Sequence, residues 1–290
     1  MWTGVIKNTD LSELPPLREV IAAHNLSARK SLGQNFLLDL NITRRITAAA
    51  DITAGTTVME IGPGPGGLTR ALLETGAKKV IAVERDERCI AALSDIREIV
   101  GERLEIISAD ALELQTGPLV TKHGPLQIVA NLPYNIATPL LISWLREIKH
   151  FSGLVLMFQS EVAGRIVAST GSKAYGRLSI ATQWRCEAKP LFTLSPKAFV
   201  PPPKVASTVV KLTPRKKPVA EADPELLEKV VAASFSQRRK MLRAALKGTF
   251  SDPVSVLEAI GIDPTARAET IDVEGFCALA RSLEKENTSA

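Results

Sequence analysis

The apolar run Ile128-Val129-Ala130 leads into Asn131-Leu132-Pro133-Tyr134, a tetrapeptide with the parts to activate an aromatic amine. An aryl amine is a poor nucleophile because its lone pair is delocalised into the ring. Two acceptors aimed at its N–H groups localise that lone pair toward an incoming electrophile. The Asn131 side-chain oxygen and the Leu132 carbonyl can supply them if Pro133, with its fixed φ and no N–H, holds the turn. Tyr134 then offers a ring to stack on the base. The alternative is a strand-to-helix turn with an Asx cap, which needs neither Pro133 nor Tyr134.

Upstream, Glu60-Ile61-Gly62-Pro63-Gly64-Pro65-Gly66-Gly67 separates an apolar run from the helical pattern Leu68, Leu72, Leu73. Gly62, Gly64 and Gly67 satisfy G-x-G-x-x-G, a loop whose backbone can approach a ligand at a helix N-terminus. Glu84 follows about 20 residues later, where a carboxylate can accept from both ribose hydroxyls. NAD and S-adenosylmethionine satisfy that arrangement equally. Asp110 can accept from an adenine amino group, or cap a helix. An NAD-dependent oxidoreductase leaves the Asn-Leu-Pro-Tyr turn unexplained. It also lacks a convincing hydride-transfer residue, since His24, His123 and His150 fall in polar or loop-like stretches. A third reading is an RNA-binding assembly factor that retains the pocket.

These residues need strands that end together. Thr57–Ile61, Lys79–Glu84, Leu104–Ser108, Leu126–Ala130 and Leu154–Phe158 read as strands alternating with helices, which predicts βαβ units and a mostly parallel sheet. Ile180–Ala188 and Ala206–Leu212 read as a late antiparallel pair joined by a proline-rich loop. Pro214-Arg215-Lys216-Lys217-Pro218 reads as a linker, and the pattern beyond it is helical. The expected organisation is a leader over 1–28 with a short helix after Pro15-Pro16, an α/β Rossmann-like domain over 29–214 with one antiparallel strand, and a small all-helical domain over 215–290.

The chain has 290 residues, 36 basic and 31 acidic, giving a net charge of +5. That excess suits a polyanionic partner without requiring one. Cys89, Cys186 and Cys277 are scattered, with no CxxC, so neither a disulfide framework nor a metal site is expected and a reducing, cytoplasmic setting is. The N-terminus has no apolar signal region. The uncharged run Gly124–Leu145 is broken by Asn131, Pro133, Asn135 and Pro139, so it fails as a membrane span. Basic residues cluster around Arg29, Lys30, Arg44 and Arg45, around Lys211, Arg215, Lys216 and Lys217, and around Arg238, Arg239, Lys240, Arg243 and Lys247. Such runs are often solvated faces, but beside a base-modifying pocket they point to phosphate contact.

The motif set resembles the ribosomal RNA adenine dimethyltransferase family, and most closely its bacterial small-subunit (16S) branch. The segments that carry the resemblance are Lys30–Leu37 (KSLGQNFL), the glycine loop, Asn131–Tyr134, Phe199–Val205 (FVPPPKV) and Phe235–Lys240 (FSQRRK). It spans about residues 17 to 283. It implies S-adenosylmethionine as methyl donor and dimethylation of two adjacent adenines in a hairpin loop near the 3′ end of 16S rRNA, late in small-subunit assembly. By the same resemblance, Asn35 and Leu37 contact the methionine portion of the cofactor and Gly62 lines that pocket. Glu84 holds the ribose, Asp110 the cofactor adenine, and Asn131 serves both cofactor and target amine. Phe199 stacks on the flipped base opposite Tyr134; read from the sequence alone, it is equally a core anchor. The expected partner is rRNA in the subunit or its precursor, with the enzyme a monomer. A large-subunit rRNA dimethyltransferase shares the pocket and is the alternative within the family.

Overall fold

The computed structural model describes residues 11, 14–29, 32–237 and 239–289. In chain order the elements are α1 (Leu17–Ala23), β1 (Phe36–Leu37), α2 (Leu40–Ala48), β2 (Thr57–Ile61), α3 (Gly67–Glu74), β3 (Lys79–Glu84), α4 (Glu87–Val100), β4 (Leu104–Ser108), α5 (Thr116–His123), β5 (Leu126–Asn131), α6 (Tyr134–Arg146) and β6 (Phe151–Gln159). There follow α7 (Ser160–Ile166), α8 (Arg177–Arg185), β7 (Cys186–Leu194), β8 (Phe199–Val200), β9 (Ser207–Pro214), α9 (Pro224–Ser236), α10 (Leu242–Ala245), α11 (Pro253–Ala259) and α12 (Val273–Ser289).

Seven strands form one sheet in the order β4-β3-β2-β5-β6-β9-β7. The pairs β2–β3, β2–β5, β3–β4 and β5–β6 are parallel, so the sheet is mostly parallel, as the alternating pattern predicts. The chain leaves β2 toward β3 and β4, then returns to the other side of β2 with β5. That reversal opens a crevice at the carboxyl ends of the strands. β2 is buried along its whole length, which is why it reads as a continuous apolar run interrupted only by Glu60. A separate two-stranded antiparallel ladder pairs Phe36 with Val200 and Leu37 with Phe199.

The chain divides into two compact units: Met1–Ser160 with Pro190–Lys211, and Glu161–Lys189 with Leu212–Ala290. The core of the first gathers Val58, Leu72, Val80, Leu93, Val129 and Val155. The core of the second gathers Tyr175, Trp184, Val230, Leu246 and Phe276. The leader's helix forms where expected, and Arg70 Nη1 donates to the Pro15 carbonyl just before it, at 2.6 Å.

Three expectations differ from the structure. Ile180–Ala188 is not a strand: Arg177–Arg185 is helical, and strand begins only at Cys186. The β-branched residues argued for strand, but Gly176 opens a helix whose Ser179 hydroxyl accepts from the Gly176 amide at 3.1 Å. Ile180 and Trp184, four apart, then enter the second core. Pro190, read as part of a loop, lies inside β7, which the sheet tolerates because β7 is an edge strand. The division also departs from a single boundary at 214, because the second unit takes Glu161–Lys189 as well.

Cys89, Cys186 and Cys277 are free and buried. Burial pushes their thiols up to about 12, 12 and 11, so they sit as small apolar side chains. Among the described residues no helix is long and apolar enough to cross a membrane. Nor do they include a group of three or more His, Cys, Asp or Glu able to hold a metal ion.

One close approach fixes the entry to the crevice. A Cβ on Gly67 would lie 2.7 Å from the Leu37 carbonyl oxygen, so the β1 segment can lie on the start of α3 only above a glycine. Gly67→Ala should cost about 1–3 kcal/mol of stability through forced backbone displacement. Gly117→Ala, in open space on α5, should instead gain about 0.5–1 kcal/mol. Urea denaturation of the two variants checks the contrast; equal effects would mean the approach is not tight.

Candidate active site

The crevice is lined by Leu32–Leu37, Glu60–Pro65, Gly67, Leu68, Val83–Arg85, Ala109–Ala111 and Asn131–Ile136. These come from the ends of β2, β3, β4 and β5 and from the segment around β1. Gly62 and Gly64 both hold positive φ, 66° and 56°, a conformation that side-chain-bearing residues rarely adopt. The turn is therefore open to a ligand at its backbone.

Glu84 is buried and held in place by main-chain amides. Its Oε1 accepts from Arg85 N at 2.8 Å and Asp86 N at 2.9 Å, and its Oε2 from Gly64 N at 3.2 Å. Burial raises its pKa and these amides oppose the rise, with a net upward shift. Oε1 is filled by two amides, whereas Oε2, with one, keeps a lone pair that can meet a ribose hydroxyl. Asp110 accepts from Arg85 Nη1 at 2.8 Å on one oxygen and from Leu112 N at 3.0 Å on the other. The local capping alternative is thus present, and the same carboxylate still lines the crevice.

Asn131 ends β5. Its Nδ2 donates to the Asn35 carbonyl at 3.1 Å, and Asn35 Nδ2 donates to the Gly33 carbonyl at 3.2 Å. With the amide nitrogen committed, Oδ1 is the acceptor Asn131 retains. The first backbone bonds of α6, from Ile136 N and Ala137 N, both go to the Pro133 carbonyl. The Leu132 carbonyl therefore lies between the end of the strand and the start of the helix ladder. Tyr134 is half-buried, and its hydroxyl is 2.5 Å from Ser207 Oγ, so the edge of the ring is tethered while the residue lines the crevice.

Phe199 departs from its expected place. It is 2% exposed, belongs to the first core, and is not among the lining residues. Paired with Leu37 in the short ladder, it is the core anchor that the sequence equally allowed, while its neighbour Val200 faces solvent. Four polar lining residues carry no assignment from the sequence: Glu60, Arg85, Gln34 and Asn135. Glu60 had a signal, a carboxylate inside an otherwise apolar strand. Arg85 matters through Asp110, a contact between two strand ends that spacing does not reveal. Gln34 receives the Arg29 amide at 2.9 Å and donates to Asp86 at 3.1 Å, tying the β1 segment to the end of β3.

The chain matches the family model described as ribosomal RNA adenine dimethylase over residues 25–285. The chain belongs to this family. Relatives named ribosomal RNA small subunit methyltransferase A include one from Rhodospirillum rubrum, 58% identical over 271 residues and covering 93% of each chain. Another, from Paramagnetospirillum magneticum, is 59% identical and covers 94% of this chain and 96% of its own. Among solved structures, a dimethyladenosine transferase from Plasmodium falciparum is similar at a TM-score of 0.75 and 28% identity, covering 86% of this chain and 97% of that one. The 23S rRNA methyltransferase ErmE matches at 0.67 and 26%, covering 86% and 100%.

Members of this family use S-adenosylmethionine, and the crevice fits it. Two carboxylates at consecutive strand ends, a glycine turn open at its backbone and a committed Asn131 amide provide the contacts a nucleoside with a cationic tail needs. The basic residues are less uniform than their spacing suggests. Arg44 pairs with Glu74 at 2.7 Å, Arg45 lies over the Phe192 ring, Lys211 pairs with Asp51, and Arg215 pairs with Glu187 at 3.2 Å. Lys216, Lys217, Arg239, Lys240 and Arg243 are exposed. Lys30 and Arg238 lie outside the described residues.

Glu84→Ala should weaken S-adenosylmethionine binding by about 1.5–3 kcal/mol through lost charge-assisted bonds; calorimetric titration at constant pH reads it, and unchanged affinity would refute the ribose role. For Tyr134 the ring matters more than the hydroxyl. Tyr134→Phe should leave methyl transfer near the parental rate but lower the melting temperature, because buried Ser207 loses its partner. Tyr134→Ala should slow transfer about tenfold or more if stacking of about 1–3 kcal/mol per base is lost. Equal rates in the two variants would remove the stacking assignment.

Proposed function

We propose that this enzyme dimethylates the N6 amino groups of two adjacent adenines in a hairpin loop near the 3′ end of 16S rRNA, acting as a monomer in the cytoplasm on the small subunit or its precursor. The observation that carries the reading is the Asn131 amide, whose nitrogen is committed to the Asn35 carbonyl beside the glycine turn and Glu84. The relatives' names favour the small subunit over the large one.

When bound, S-adenosylmethionine supplies an electrophilic methyl group on a sulfonium. The protein's part is to place and polarise the amine. Glu84 and Asp110 orient the cofactor's ribose and adenine, and Asn35 and Leu37 sit beside its methionine portion. Asn131 Oδ1 and the Leu132 carbonyl accept from the two N–H groups of the target amine and turn its lone pair toward the methyl. Pro133 keeps the turn rigid and withholds a competing N–H. Tyr134 covers one face of a base that has left its stack, offsetting part of the cost of flipping. The amine's proton passes to solvent after attack, so a general base is not required. The same acceptors serve the second methylation, with one N–H remaining to hold.

Lys216, Lys217, Arg239, Lys240 and Arg243 contact phosphates, with Arg215 and Arg238 extending the same two segments. RNA loops are recognised by shape and by splayed bases, so affinity rests mainly on these charges.

Asn131→Ala should depress single-turnover methyl transfer strongly at saturating cofactor and RNA, with little change in RNA affinity. Transfer at the parental rate by a folded variant would reduce Asn131 to a turn residue. Replacing Lys216, Lys217, Arg239 and Lys240 by Ala should lower the log–log salt slope of RNA binding by roughly 0.7–0.9 per lost contact. An unchanged slope would mean those side chains face only water.

A further inference from the structure

Among the described residues, Glu60 is the one carboxylate lining the crevice that the proposed mechanism does not use. It stands one residue before the end of β2 and is 1% exposed. Its Oε2 accepts from Thr69 Oγ1 of α3 at 2.6 Å, and among the described residues no hydrogen bond reaches Oε1. Nor, among the described residues, does a basic side chain pair with it. From β3 it faces Glu84, a second carboxylate, whose charge disfavours its own. From α3 it meets the Thr69 hydroxyl, while Arg70 on the same helix turns to the Pro15 carbonyl. Among the described residues, the polar side chains nearest it that β5 and the β1 segment bring to the crevice, Asn131 and Asn35, are neutral amides. Arg85 and Asp110, further along the crevice, are paired with each other.

A buried, unpaired carboxyl group beside another carboxylate holds its proton. Burial first, and Glu84 further, push Glu60 up to about 8, against the opposing Thr69 bond. The crevice floor is therefore uncharged at Glu60 at neutral pH. The ligand expected there carries two positive groups on its methionine portion, a sulfonium and an α-ammonium. A cation entering the same low-dielectric space reverses the balance, because an ion pair replaces a lone buried charge.

We propose that Glu60 is a proton-releasing counterion for the cofactor: a neutral carboxylic acid in the free protein that ionises as the cationic cofactor binds. The inference rests on the S-adenosylmethionine reading of the crevice. The step is a simple ionisation. The Glu60 O–H bond breaks, the proton passes to solvent buffer, the electron pair stays on the carboxylate, and no other covalent bond changes. Glu60 acts on binding and on the placement of the sulfonium, and takes no proton from the target amine. One consequence concerns the free protein. Its folded pKa exceeds the ordinary value of 4.5. Glu60 therefore favours folding fully below that ordinary value and loses that contribution as pH rises from 4.5 toward 8. Bound cofactor removes the loss.

The test is isothermal titration of the full-length protein with S-adenosylmethionine at pH 6.5, in two buffers of different ionisation enthalpy. At that pH an α-ammonium of pKa about 7.7–8.0 stays protonated, so the protein is the source of any proton. The slope of observed enthalpy against buffer enthalpy should give release of about one proton per cofactor bound. Glu60→Gln should bind more weakly, release none, and lose the rise in affinity that the parent shows between pH 6 and 8. It should also melt no lower than the parent at pH 8. Thr69→Val, which removes the one bond that opposes the raised pKa of Glu60, should still release a proton but over a pH range displaced upward, and decides the matter if Glu60→Gln does not fold: a range that does not move overturns the assignment. Tight binding by the parent with no buffer dependence, or undiminished release by a folded Glu60→Gln, overturns it too. Failure of the parent to bind S-adenosylmethionine at all would instead overturn the reading of the crevice.

Discussion

The active-site geometry depends on how closely two backbones pass. The Leu37 carbonyl runs over Gly67 at a distance that leaves no room for a side chain. That contact lays the segment around β1 across the start of α3. From there Asn35 can present its carbonyl to Asn131, Gln34 can reach Asp86, and Leu37 can enter the first core. The segment is short, and its two-residue ladder with β8 would be marginal alone. It is ordered by what it touches. The amide of Asn131 is oriented by a residue far away in sequence, and the acceptor it retains is a consequence of that tether.

Charge in the crevice is arranged by burial more than by pairing. Glu84 is held by three main-chain amides, Asp110 by Arg85 and an amide, and Glu60 by a hydroxyl. Asp86, just past Glu84, is the contrast. Arg88 above all, helped by Gln34, holds it down to about 2, so it is a fixed anion. Asp86 and Glu84, two residues apart, thus shift in opposite directions, because one has a guanidinium beside it and the other is buried with only main-chain amides to oppose the rise.

Much of this was legible in the sequence because parallel βα units leave strong local marks. Apolar runs of strand length, glycines after the first and acids after the next two place Gly62, Glu84 and Asp110 at one sheet edge before any coordinates are known. Asn131–Tyr134 was legible for the same reason. What stayed hidden were contacts between distant segments. Phe199 before three prolines reads equally as a presented aromatic or a core anchor, and only the β1–β8 register turns it inward and leaves Val200 outside. Arg44, Arg45 and Arg215 read as free charges until their partners Glu74, Phe192 and Glu187 are seen. The helix at Arg177–Arg185 was masked by β-branched residues, whose weak preference gives way to a capped start and a core waiting for Ile180 and Trp184.

The second unit is assembled from two stretches of chain that are not neighbours in sequence, Glu161–Lys189 and the part after Lys211, with Pro190–Lys211 returned to the first. During synthesis the apolar side chains of α8 therefore emerge well before α9 and α12, the helices they share a core with. Ile180 and Trp184, with Tyr175 just before the helix, must wait unburied until α9 and α12 have also been made. A protein that modifies ribosomal RNA thus leaves part of its own smaller unit open while a ribosome is still making the helices that close it.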